Sequence, residues 1–148
     1  MKQLLVFLGL ILTYLGNAQG FEITVRSNQI VPQQKIYLEW INARGQAVKL
    51  DSLLPDSQKQ VVFKGKVLDQ GGFYLVNFFD VPNPQKVLVI LEGSEKVFVQ
   101  AEGINTPEKA GTFQIQGDSP NIVFMNQLFA LSNTLPVNLY TCASNIQV

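Results

Sequence analysis

The chain has 148 residues, 47% of them hydrophobic and 15% charged, with eleven basic and eleven acidic side chains and so no net charge. That balance leaves no electrostatic footprint for nucleic acid or an anionic membrane, so partners must be met by shape and apolar contact. Histidine is absent and Cys142 is the single cysteine. This inventory excludes from one chain a zinc site, a Ser-His-Asp or Cys-His mechanism, a C-x-x-C redox pair and an internal disulfide.

In chain order, Met1-Lys2-Gln3 precedes an apolar run over residues 4–15, and Gly16-Asn17-Ala18 then places small residues at a cleavage position. The pattern reads as a secretory signal over residues 1–18, with the mature chain starting at Gln19. The run is too short for a membrane span, which needs roughly 18 or more apolar residues. Gln19 and not a cysteine stands directly after the cleavage site, so the expected product carries no lipid anchor there and is exported, periplasmic or cell-surface, with no span left after cleavage.

Phe21, Ile23 and Val25 alternate with polar residues, as in a half-buried strand. Ile36, Leu38 and Trp40 repeat the pattern, and Asn42-Ala43-Arg44-Gly45 turns the chain into a strand over residues 46–50, making a hairpin. Val61, Phe63 and Val67 alternate with Lys64 and Lys66 in a further strand. Phe73-Tyr74-Leu75-Val76 and Val87-Leu88-Val89-Ile90-Leu91 are apolar on both faces and read as central strands. Asp80-Val81-Pro82-Asn83-Pro84 separates them, since proline cannot continue a ladder.

Glu92-Gly93-Ser94-Glu95 reads as a tight turn into Val97-Phe98-Val99, and a polar loop over residues 102–111 leads to a last strand at 113–115. Eight short strands predict an antiparallel β-sandwich over residues 19–118, with a closed β-barrel as the alternative. Asp118-Ser119-Pro120 then starts a helix over 119–132, by a capping residue followed by proline at the first helical position. Phe124, Leu128 and Leu131 share one of its faces, with Ile122, Met125 and Phe129 nearby. Pro136 blocks its continuation, leaving 133–148 as a loose tail. No charged residue occurs from Ser119 onward, which is unusual for a solvated helix and points to burial, to an altered or truncated reading frame, or to a segment that needs a partner.

Four segments carry a family resemblance: Leu50-Asp51-Ser52, Val62-Phe63-Lys64-Gly65, Gly72-Phe73-Tyr74-Leu75-Val76 and Val89-Ile90-Leu91-Glu92-Gly93. At these spacings the chain resembles, over most of residues 20–121, the family called domain of unknown function 4369. In exported proteins of Bacteroidetes-type bacteria that family usually precedes a thioredoxin-like domain of the AhpC/TSA type. The resemblance implies a non-catalytic interaction or positioning module whose thioredoxin part is absent here, with that domain or another envelope protein as partner. The chain departs from the family pattern at its end, where an uncharged helix stands in place of a charged connecting one.

The candidate sites are few. Asp51-Ser52 and Asp56, placed after a strand, lack the D-x-[DN]-x-[DN]-G spacing of a calcium loop and read as turn formers, with Asp51 bonding nearby backbone. Glu92 and Glu95 have the residue type of a glycosidase pair but flank a turn and read as solvated. Trp40 shares parity with Ile36 and Leu38 and reads as core. Tyr37, off that face, and Phe78 and Phe79, beside the proline loop, form the candidate recognition surface. No catalytic, metal or cofactor residue is assigned. A stand-alone protein binding a small ligand or glycan is the alternative function, with self-association through the C-terminal helix a further expectation. Cys142 reads as a free thiol, an intermolecular crosslink or a tail residue.

Overall fold

The computed structural model describes residues 20–29, 33–68, 71–106 and 109–134. The signal segment, the cleavage point, Cys142 and the tail beyond Thr134 lie outside the described residues. Eight strands form two four-stranded sheets, followed by one helix: β1 (Phe21–Ser27), β2 (Ile36–Ile41), β3 (Ala47–Leu53), β4 (Gln60–Gly65), β5 (Gly72–Phe78), β6 (Lys86–Leu91), β7 (Lys96–Ala101), β8 (Phe113–Gln116) and α1 (Pro120–Thr134). One sheet has the order β4-β1-β7-β8 and the other β3-β2-β5-β6. The sheets stay separate, so the sandwich is the architecture and the barrel is not.

Alternation sends one side chain in two into the space between the sheets. Ile23, Val25, Phe63, Val97, Val99 and Ile115 come from one sheet, and Ile36, Leu38, Tyr74, Val76, Val87 and Val89 from the other, all at most 3% exposed. Tyr74 brings a polar atom into this layer, and its hydroxyl accepts the Leu68 N–H at 2.8 Å. Trp40, expected in the core, is half-buried against its margin.

The hairpin of β2 and β3 forms as its turn chemistry requires. Asn42 Oδ1 accepts the amides of Arg44 and Gln46 at 2.9 and 3.0 Å, and Gly45 takes the left-handed conformation at φ 75°. The strand runs on to Leu53, so Asp51 and Ser52 lie within β3 and not after it. A bulge opposite Leu38/Glu39 admits the extra residue, because Leu38 pairs with Asp51 while Glu39 pairs with Lys49.

Three further expectations are corrected. β5 is central, but β6 is an edge strand; its second apolar face, Leu88 and Ile90, is half-buried against the core, and α1 packs beside it. The turn at 92–95 does not close a hairpin, since it passes the chain from β6 in one sheet to β7 in the other. The sandwich is also not wholly antiparallel: β1 and β7 pair in parallel, with Glu22 opposite Lys96 and Ser27 opposite Ala101.

The helix starts where its cap dictates. The Ile122 N–H points to Ser119, at 3.0 Å from its carbonyl and 3.4 Å from its hydroxyl, and Pro120 occupies the first helical position. Ile122 and Met125 enter the core at 1% and 2% exposure, and Phe129 meets Phe113 edge-on at 4.9 Å. The helix thereby covers the side of the sandwich where edge strands β6 and β8 end the two sheets.

Candidate functional site

The proposed surface of Tyr37, Phe78 and Phe79 does not exist as a surface. Phe78 and Phe79 are 0% and 1% exposed and pack edge-to-face, 6.2 Å between ring centroids. The reason lies in parity and backbone: Phe78 pairs with Ile36 on the inner side of the sheet, and Phe79 adopts φ 62°, a turn out of the strand that folds its ring inward. Tyr37 lies on the opposite face of β2, with Lys49 Nζ 3.9 Å from its ring centre.

The acidic candidates serve the backbone. Asp51 accepts the Ser52 amide at 2.7 Å, the local bond expected of it. Asp56 Oδ1 accepts the amides of Gln58 and Gln60 at 2.8 and 3.0 Å, which makes it a turn former. The Glu95 carboxylate accepts the amides of Glu92 and Gly93, each at 2.8 Å, so it holds the crossover between sheets and is not a free acid facing Glu92. Glu22 pairs with Lys64 at 2.9 Å; the hydrogen bond and charge of Lys64 hold its carboxyl below the usual carboxylate value. Among the described residues no group of three His, Cys, Asp or Glu side chains is placed to hold a metal, and no helix is long and apolar enough to cross a membrane.

Gln85 went unnoticed in the sequence. Only 3% exposed, it accepts the Gly103 N–H at 2.7 Å through Oε1 and donates from Nε2 to the carbonyls of Gly111 and Thr112 at 2.6 and 3.2 Å. It fastens the loop before β8 to the loop before β6. Gly103 sits at φ 93°, where an added Cβ would lie 2.8 Å from both the Phe79 ring and Ser27 Oγ, so only glycine fits. The clasp is structural and leaves no polar atom of Gln85 for a ligand.

Among the described residues, two surfaces involve the helix. The outward side of α1 exposes Val123, Phe124, Leu128 and Leu131 at 51–63%. Of the residues grouped by helical spacing, Ile122 and Met125 dock, whereas Phe124, Leu128 and Leu131 face solvent. The second surface is a groove of about 880 Å³ along residues 109–116 and the flank of α1 at Asn126, Phe129 and Ala130. Asn126 Nδ2 donates to the Ile115 carbonyl at 3.0 Å across its floor. Nothing in the sequence set Asn126 apart as its marker, since Asn121, Gln127 and Asn133 share the same helix. The space between the sheets is filled by the core side chains, so neither surface leads inward. No protein-family model, curated protein or solved structure matches the chain.

Proposed function

We propose that the chain is an exported, non-catalytic β-sandwich that acts as an interaction or positioning module, as its resemblance to the domain of unknown function 4369 family implies. Its partner is a thioredoxin-like domain or another envelope protein, and where that partner is missing α1 associates with a second copy. The observation that carries this reading is the uncharged outward face of α1: Val123, Phe124 and Leu128 are more than half exposed on a helix already docked by its other side. A docked helix that remains apolar outside is suited to contact a second surface. The residue inventory supports a module without chemistry of its own, since one thiol cannot form the dithiol couple of a reductase.

The test joins the chain to the frame encoded downstream of residue 148. A C-x-x-C-bearing thioredoxin-like fold there, whose contact with α1 is lost in Leu128→Glu, supports the reading, as does a concentration-dependent dimer of the chain alone that the same variant abolishes. Insulin reduction by the chain above that of Cys142→Ser, or a chain that stays monomeric with an unrelated downstream frame, refutes it.

A further inference from the structure

The groove beside β8 differs in kind from the outward face of α1, because its floor is a strand edge. The Ile115 carbonyl, bonded by Asn126, turns away from β7 and toward the helix. In an antiparallel ladder a residue whose carbonyl turns outward turns its N–H outward too, and the residue two positions away repeats the arrangement. Thr112, of the opposite parity, accepts the Glu102 amide on the side of β7, in agreement with this. The Ile115 N–H and both backbone groups of Phe113 therefore face the groove.

The walls set the chemistry of an occupant. Phe129 against Phe113 makes one wall apolar, Ala130 leaves room beside it, and among the described residues lining the groove Lys109 is the charged one. Unpaired main-chain groups in an extended row recognise another extended main chain. Helices also cover strand edges simply to prevent such pairing. Here, among the described residues, the cover is partial, because Asn126 satisfies the Ile115 carbonyl and no other described side chain bonds the outer edge of β8.

We propose that the groove binds an extended peptide segment, which adds as a further strand to β8, is uncharged along its length and places a carboxylate beside Lys109. Asn126 is the stand-in for this strand and yields the Ile115 carbonyl when the peptide enters. The site is separate from the outward face of α1, so the two readings fail independently: Leu128→Glu removes the one and leaves the other.

The experiment screens the purified chain against phage-displayed octapeptides with free C-termini, then titrates the best sequence as synthetic peptide. The expected sequences alternate β-branched residues, lack internal charge and carry an acid at one end. Binding slows exchange of the Phe113 and Ile115 amides, and Asn126→Ala strengthens it severalfold by freeing the carbonyl. Ala130→Trp fills the groove and abolishes binding without moving the thermal midpoint, Ala130 being exposed. Amidating the C-terminus weakens binding about tenfold where the terminal carboxylate meets Lys109, and Asp→Asn in the peptide does so where a side chain supplies it. No enrichment over the Ala130→Trp protein overturns the proposal. So does peptide-induced protection confined to Val123 and Leu128, or an edge occupied only by a second copy of the chain.

Discussion

Gln85 and Val89 are both buried, and each is irreplaceable for a different reason. Changing Gln85 to leucine keeps the volume but leaves the Gly103 N–H and the Gly111 carbonyl without their partner, at about 1–3 kcal/mol for each buried group. Urea denaturation of Gln85→Leu should show a loss of about 2–4 kcal/mol, and an unchanged midpoint would mean that water replaces the clasp. Val89 is 0% exposed, so Val89→Asp buries an unpaired charge and should abolish cooperative melting by circular dichroism. Lys64→Asp is the contrasting case. Its side chain is 68% exposed, and the change only sets two carboxylates across from each other at Glu22, so the melt should survive with a midpoint a few degrees lower. Equal melts for the two variants would show that the inner and outer faces are wrongly assigned.

At the scale of elements, α1 divides its apolar residues between core and solvent. Met125→Ala should cost about 2–4 kcal/mol in urea, because the side chain is 2% exposed, whereas Leu128→Ala, at a position 51% exposed, should cost well under 1 kcal/mol. Reversed magnitudes would mean that the helix docks through its other side. Spacing alone grouped Phe124, Leu128 and Leu131 correctly as one face, but it could not say which face meets the sheets. The docked side is the one that lays Ile122 against Gly117, where an added Cβ would meet the Lys96 carbonyl at 2.9 Å and the Ile122 side chain at 3.3 Å. The strands themselves were legible because each is buried on one side, and period-two alternation records which side. Two things were not. An edge strand under a helix and a central strand have the same apolar run, so β6 was misplaced. Phe78 is buried by the same parity as Tyr74 and Val76, but the burial of Phe79 depends on its own left-handed conformation, which no composition rule signals for phenylalanine.

For the whole molecule, the order of pairing matters more than the number of strands. Sheet order puts β1 between β4 and β7, and both pairings span long stretches of chain. Folding measured by stopped-flow fluorescence of Trp40 should therefore fall in the millisecond-to-second range of nonlocal β topologies, and a variant lacking residues 20–27 should recover neither sheet. Microsecond folding, or a cooperative melt in the shortened chain, would contradict this.

The parallel ladder of β1 with β7 has a consequence for the order of synthesis. β1 leaves the ribosome before the other described strands yet is a central strand of its sheet, and Glu22 must wait for Lys96 before its second edge is satisfied. Until then β1 is paired along one edge alone, by β4, which delays closure of the sheet and leaves an open apolar strand edge as a target for holdase chaperones. For the export proposed above that delay is an advantage, since a chain enters a translocation pore unfolded. Topology alone would thus keep the sandwich open until most of its length has passed.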